Sequence, residues 1–317
     1  MLHLTLAPME GVLDHLMRDL LTRSGQYDLC VTEFIRVIDQ LLPERVFYKL
    51  CPELKNGSKT PSGTPVRVQL LGQHPSWMAE NANAAIELGS DGIDINFGCP
   101  SKLVNGSNGG AALLKTPEVM YQVVKSVREA VPKDKIVSAK MRLGWDSAEH
   151  CLELADAIYQ AGANEMAVHG RTKADGYKAG TVKWQQIANI VKHVNIPVTA
   201  NGDIIDRDSA LKCQQITGTH KLMLGRGALN LPNLGEVIRN TSEPMNWTQT
   251  VALMLRYSEL EMEGDKGLYY PNRIKQWFSY LKSQYPQANE LFREIRIYKK
   301  APEIVQRLEA AFEALEN

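Results

Sequence analysis

Along the first three quarters of the chain, short apolar and β-branched runs alternate with stretches whose apolar positions fall three and four apart. Eight runs have strand character: LTLAPM, LCVTEF, VRVQLLG, GIDINFG, IVSAKMRLG, EMAVHG, PVTANGD and KLMLGRG. Residues 77–88, 117–130, 148–161, 184–194 and 206–215 carry helical spacing between them. Strands alternating with helices imply parallel βαβ units, and eight such units over residues 1–243 predict an α/β fold, a TIM (β/α)8 barrel. The longest connection runs from Phe34 to Val66 and holds Pro43, Pro52 and Pro61, which predicts an irregular excursion from the barrel rim. From about Met245 the strands stop. VALMLRYSELEM, NRIKQWFSYLKSQY, ANELFREIRIY and APEIVQRLEAAFEAL predict a small all-α helical bundle over residues 244–317.

Composition narrows the class. Hydrophobic residues make up 44% of the 317, enough for a well-buried core and too many for a disordered chain. Lys+Arg and Asp+Glu are both 36, so the molecule has no long-range field and any nucleic-acid site must be a local patch. Five scattered cysteines without a CxxC pair suggest neither a disulfide framework nor a zinc site, so no metal is expected. The start, MLHLTLAPMEG, lacks the basic region of a signal peptide, and no apolar run approaches membrane-spanning length. A cytoplasmic protein is expected.

Catalytic groups of a TIM barrel sit at the carboxyl ends of its strands. Here those ends offer, in order, Pro8, Met9 and Glu10; Glu33; Gln69; Asn96 with Cys99; Lys140 with Arg142; His169 with Arg171; Asn201 with Asp203; and Gly225 with Arg226. One polar residue at a loop start is ordinary; eight polar strand ends together point to a site. The last two ends, ANGD and LGRG, set Gly202 and Gly225 beside Asn201, Asp203 and Arg226, where backbone N–H groups and a guanidinium suit a phosphate. Tight βα turns need glycine in any case, and the phosphate could belong to a cofactor or a substrate. A lysine at the end of the fifth strand either forms a Schiff base, stabilises the negative N1–C2=O edge of a reduced flavin, or simply reaches to solvent. Cys99, between Gly98 and Pro100, carries a thiol that is mostly protonated at neutral pH and suits a general acid, although cysteine is more often inert and buried.

APMEG, NFGCPSKLVNGSNGGAALL, AKMRLGW, AVHGRT, ANGD and LGRGAL resemble, in that order, the signature segments of the tRNA-dihydrouridine synthases. The resemblance runs through the barrel into the tail, and GCPS is its most specific part. It implies FMN across the barrel mouth, with Pro8, Met9 and Glu10 beside it, Gln69 and Lys140 at the ring, and His169 lining the site. Asn201, Gly202, Asp203, Gly225 and Arg226 would surround the phosphate. It also implies that NADPH reduces the flavin, that hydride passes from flavin N5 to uracil C6, and that Cys99 protonates C5. Asn96 and Arg171 would meet the substrate. A stacked uridine must be flipped out to be reached, and Tyr177, after the sixth strand, is a candidate to stack on it.

The tail supports an RNA partner separately. Eight basic residues lie between Lys266 and Lys300 (Lys266, Arg273, Lys275, Lys282, Arg293, Arg296, Lys299, Lys300) against Glu290 and Glu294, although a charge run is often only a solvated face. Ile274, Phe278 and Leu281 are spaced to pack inward, leaving Arg273, Lys275 and Lys282 for phosphates. Glu10 after APM, Arg36 in the second loop and NRIKQW, including Trp277, look most like the C subclass, which modifies uridine 16 of the D-loop; Arg36, Arg273, Lys275 and Trp277 would touch tRNA. Asn108 departs from the pattern, since relatives tend to carry glycine or an apolar residue there. Two other enzymes compete: a Schiff-base lyase using Lys140, and an FMN barrel oxidoreductase acting on a free pyrimidine or an enone. A non-catalytic RNA-binding protein would give Cys99, Lys140 and His169 no task. No obligate protein partner is expected, and a monomer suffices.

Overall fold

Each of the eight runs forms a strand in the computed structural model, which describes residues 2–264 and 266–316. The strands are β1 (His3–Leu6), β2 (Leu29–Arg36), β3 (Val66–Leu71), β4 (Gly92–Phe97), β5 (Ile136–Arg142), β6 (Glu165–His169), β7 (Val198–Asn201) and β8 (Lys221–Leu224). They pair in parallel in sequence order, and β8 closes onto β1. Alternation along each strand divides the side chains. Leu4, Leu6, Val68, Leu70, Ile93, Ile95, Val137 and Val168 enter the apolar layer shared with the helices, while Thr5, Asp94, Ser138, Ala167, Thr199 and Met223 line the barrel interior.

That interior is polar near its amino-terminal end. Arg67 Nη1 lies 2.6 Å from Glu165 Oε1 and 2.9 Å from Ser138 Oγ, and Lys221 pairs with the other Glu165 oxygen. Burial alone would raise the Glu165 carboxyl; the Arg67 charge and the hydrogen bonds from Lys221 and Arg67 instead hold it down to about 2. The floor is thus closed by paired charges, and chemistry is left to the other end.

The β2–β3 connection is more ordered than its prolines suggested. β2 runs on to Arg36, a helix covers Glu44–Leu50, and a 3-10 turn covers Pro52–Asn56. Pro43 and Pro52 stand at the starts of these elements, where a fixed φ favours the first turn rather than breaking it. The fully buried Arg18 holds the excursion to the barrel: it makes a two-pronged bond to Glu53 at 2.7 and 2.9 Å, and reaches Leu13 O and Leu50 O. Arg18 belongs to a helix, His15–Gly25, that the apolar spacing did not announce, because Arg18 and Asp19 are buried among its leucines.

Four helices form the tail: Trp247–Gly264, Tyr270–Leu281, Gln287–Ile295 and Ala301–Glu316. Ile274, Phe278 and Leu281 point inward as their spacing predicts. The tail's core is continuous with that of the barrel. Trp277, 0% exposed, donates from Nε1 to Leu229 O at 3.0 Å, and the Tyr257 ring meets it edge-on. Among the described residues no helix is long and apolar enough to cross a membrane.

Arg18→Ala would leave the Glu53 carboxylate buried and unpaired. We expect it to destabilise the fold by about 3–5 kcal/mol, read as a fall in the urea midpoint.

Candidate active site

Strand register assembles the mouth. Asn96 lies level with Lys140, and Arg142, two residues further along β5, lies level with His169 and so with Asn201; four neighbouring strands thus end in polar side chains on two adjacent levels. One layer below, Asp94 accepts from Gln69 Nε2 at 2.7 Å and meets Ser138 Oγ at 2.5 Å. Gln69 Oε1 accepts from Asn96 Nδ2 at 2.8 Å, and Asn96 Oδ1 accepts from the N–H groups of Gly98 and Cys99 at 2.8 and 2.9 Å. A hydrogen-bonded chain therefore runs from the barrel interior to the backbone that carries the thiol. Gln69 and Asn96 each have a second amide hydrogen with no acceptor among the described residues.

The Cys99 loop is fixed on its other side too. Arg142, 1% exposed, donates from Nε to Gly98 O at 2.8 Å and from Nη1 to Thr172 O and Gly176 O at 3.0 Å, joining the loops after β4 and β6. Gly110, at φ +59°, lies under Cys99; a Cβ there would come within 2.9 Å of Cys99 O and 3.1 Å of Cys99 Cβ. Asn108 has φ +56°, a left-handed conformation that asparagine tolerates better than most residues, so this departure from the family pattern suits the loop. Burial pushes the Cys99 thiol up, more than Ser101 N–H and the nearby Arg142 and Lys140 charges pull it down.

Lys140 makes no hydrogen bond or ion pair among the described residues. Burial and the Arg142 charge lower its ammonium to about 8, against the opposing pull of Asp94 and Cys99. His169, 6% exposed, is held well below its ordinary range by burial and then by the charges of Lys140, Arg142, Arg171 and Arg226, so its imidazole is neutral at physiological pH.

At the β7 and β8 ends, Asn201 Nδ2 donates to Met223 O at 2.8 Å. Gly202, at φ +124°, leaves no room for a side chain: a Cβ would lie 3.0 Å from Val182 Cγ2 and 3.2 Å from His169 Cδ2. Asp203 accepts from Arg171 Nη2 at 2.6 Å and, more loosely, from Arg226 Nη2 at 3.4 Å. Arg226, 42% exposed along its side chain, also donates from Nη1 to Tyr177 O at 3.3 Å. Tyr177 presents a half-exposed ring 5.0 Å from the Arg142 guanidinium and 5.5 Å from that of Arg226. Pro8 and Met9 are half-buried after β1 and Glu10 is exposed, while Glu33, not anticipated as a partner, accepts from Gly11 N–H at 2.5 Å.

Several expected RNA contacts have other tasks. Arg171 is corrected: its guanidinium is 0% exposed and bonds Lys178 O, Thr181 Oγ1 and Asp203, pinning the loop after β6. Trp277 is corrected also, since it lies in the core between tail and barrel and cannot meet RNA. Arg273 pairs with Asp14 at 3.0 Å and Glu261 at 2.8 Å, Lys275 Nζ donates to Tyr298 O at 2.5 Å, and Lys282 Nζ lies 3.5 Å from the centre of the Phe292 ring. These three fasten the tail rather than standing free for phosphates. Arg36 Nη2 bonds Ser107 Oγ at 2.6 Å, tying the second loop to the Cys99 loop. Arg142, named in the sequence only as a strand end, proves to hold the Cys99 loop, and Asp94 was missed, although it lies two positions from Asn96 on the same strand face.

A buried thiol, an ammonium without a hydrogen-bond or ion-pair partner among the described residues and two glycine-bearing strand ends thus meet on one (β/α)8 mouth. The family described as Dihydrouridine synthase (Dus) matches residues 5–316, and the chain belongs to it. It is a flavin-dependent oxidoreductase that forms dihydrouridine in tRNA, and the Schiff-base role for Lys140 is thereby set aside. It is 57% identical over 316 residues to "tRNA-dihydrouridine(16) synthase" of Vibrio parahaemolyticus, covering 100% of this chain and 98% of that one. The same name is carried by relatives from Vibrio cholerae, 59% identical over 96% of this chain and 94% of the relative, and from Escherichia coli K12, 57% identical over 96% and 97%. Among solved structures, a variant of NCR from Zymomonas mobilis shares the fold at a TM-score of 0.55 and 14% identity, over 77% of this chain and 88% of that one. Morphinone reductase in complex with tetrahydroNAD does so at 0.52 and 11%, over 78% and 89%.

Asn96→Ala removes the acceptor of two loop N–H groups. We expect flavin to stay bound and dihydrouridine formation to fall about 100-fold in single turnover, as a displaced proton donor would cause.

Proposed function

We propose that this protein reduces uridine 16 in the D-loop of tRNA to 5,6-dihydrouridine, with FMN as its bound cofactor and NADPH as its reductant. Position 16 is read over from the names of the full-length relatives. The observation that carries the chemistry is Cys99, a thiol kept protonated by burial and fixed at the mouth by Asn96 and Arg142.

The residues fit FMN. Lys140 offers an ammonium with no partner among the described residues, suited to the N1–C2=O edge of the ring. Neutral His169 and the remaining amide hydrogen of Gln69 can bond the ring without adding charge, with Pro8, Met9 and Glu10 along its border. Asn201, Gly202, Asp203, Gly225 and Arg226 form the phosphate cradle: Gly225 packs against Met9 and Ala7, Arg226 supplies the charge, and Asp203 orients it. FMN, when bound, supplies the hydride that uracil C6 receives. Cys99 gives its proton to C5, so the C5–C6 double bond becomes single and the thiolate regains a proton from solvent. Asn96 holds the donor and keeps one N–H for the base.

Tyr177 is the surface for a flipped uracil, its ring backed by two guanidinium groups. Arg36 stands on the rim beside the Cys99 loop. Residues 1–243 serve as the catalytic domain and 244–317 as the tRNA-binding domain. Within the tail, the phosphate contacts move from Arg273 and Lys275 to Arg293, Arg296, Lys299 and Lys300, which are exposed and make no ion pair among the described residues. One barrel mouth and one tail hold every group invoked, so the enzyme is taken as a monomer, working in the cytoplasm.

Cys99→Ala tests the chemistry. Flavin reduction by NADPH and tRNA affinity should be unchanged, while dihydrouridine formation falls by about 100- to 10,000-fold, as for loss of a general acid. Because burial raises the thiol, loss of its proton should begin to slow the wild-type single-turnover rate only above roughly pH 8.5, the ordinary thiol range. Undiminished turnover by the variant would remove Cys99 from the mechanism.

A further inference from the structure

On the rim away from the tail, the segments after β4, β5 and β6 enclose a cleft of about 630 Å³. Pro100, next to Cys99, forms part of its wall, so the cleft adjoins the mouth. Lys102, Lys115 and Lys173 line it, and no Asp or Glu does. None of the three lysines has an ion-pair partner among the described residues, although the chain holds as many acidic as basic residues. Instead Lys115 Nζ lies 3.9 Å and Lys173 Nζ 4.1 Å from the centre of the Trp145 ring, which takes the place a carboxylate would otherwise fill.

The Trp145 platform is built in. Gly144 has φ +154°, and a Cβ there would fall 2.0 Å from Ser147 O, so the tight turn presenting Trp145 requires glycine. Lys173 N–H donates to Gly144 O and Ala174 N–H to Trp145 O, both at 2.9 Å, locking the β5 and β6 loops together. Gln73, Asn105 and Asn108 add neutral donors and acceptors around the cations.

Three uncompensated ammonium groups around one concavity require a compact ligand with clustered negative charge, and the aromatic face and amides suit a base and ribose. We propose that this cleft seats the phosphorylated adenosine end of NADPH, with Lys102, Lys115 and Lys173 holding its phosphates; this rests on NADPH being the reductant. A 2′-phosphate beside a pyrophosphate brings that density of charge into one pocket. An RNA strand carries one charge per nucleotide along an extended backbone and is better met by the spaced cations of the tail. NADH, lacking the 2′-phosphate, would use the cleft poorly, so the cleft would set the choice between the two reductants.

The test is a Lys115→Ala/Lys173→Ala variant of the flavin-loaded enzyme. Anaerobic stopped-flow should show the Kd of NADPH for flavin reduction raised at least about tenfold, with the NADH value little changed. Calorimetry with adenosine 2′,5′-bisphosphate should show binding to wild type and none to the variant, and tRNA affinity should be equal in both. Unchanged NADPH binding overturns the assignment. So does a loss that falls on tRNA affinity instead, which gives the cleft to RNA. Whether tRNA is the substrate is read independently, from dihydrouridine formed by wild-type enzyme reduced with dithionite, and that assay can fail while the NADPH result stands.

Discussion

The two hydrogen bonds that Asn96 Oδ1 accepts from the N–H groups of Gly98 and Cys99 decide where the Cys99 thiol lies. Past the end of β4 the backbone leaves the sheet, and its donors need new partners. Asn96 supplies one acceptor for both, and its own orientation is set through Gln69 by Asp94, deep in the barrel. Arg142 closes the arrangement from β5 by taking Gly98 O. A loop rich in glycine and asparagine thus becomes a rigid mount because a strand-end side chain and a neighbouring guanidinium satisfy its backbone.

The same barrel treats its buried charges in two ways. At the floor, Arg67, Lys221 and Glu165 are mutually paired, and Arg18 with Glu53 does the same beneath the β2 loop. At the mouth, Lys140 has no hydrogen-bond or ion-pair partner among the described residues, and burial and the Arg142 charge lower its ammonium. A buried pair stabilises structure only when geometry is good, whereas an unpaired cation in a pocket is tolerated where a ligand completes it.

Much of this was legible in the chain. The alternation of short apolar runs with helical spacing placed all eight strands within a few residues, because a barrel strand buried on its outer face must read as an apolar run. Polar strand ends pointed to the mouth, since nothing in packing demands Asn96, Lys140, His169 and Asn201 at the ends of four neighbouring strands. What escaped were partnerships. Nothing in NRIKQW reveals that Asp14 and Glu261 wait for Arg273, or that Trp277 meets Leu229 O across the tail–barrel contact. Arg171 looked free beside His169, but the carbonyl of Lys178 and the carboxylate of Asp203 enclose it. A basic residue's availability depends on acceptors brought near by folding, and spacing along the chain does not encode them. The helix His15–Gly25 was hidden for the same reason, since a buried arginine reads as a surface position until its glutamate is found.

The most direct measurement is a position map of dihydrouridine in undermodified tRNA after incubation with this enzyme and NADPH, read by mass spectrometry of defined fragments. Dihydrouridine at position 16, and not at the other D-loop uridines, is the result predicted by a mouth that flips one base onto Tyr177 under the guidance of the tail. Reduction elsewhere in the D-loop would contradict the assigned position, and tRNA left unchanged by a fully reduced, flavin-loaded enzyme would contradict the reading of the mouth itself.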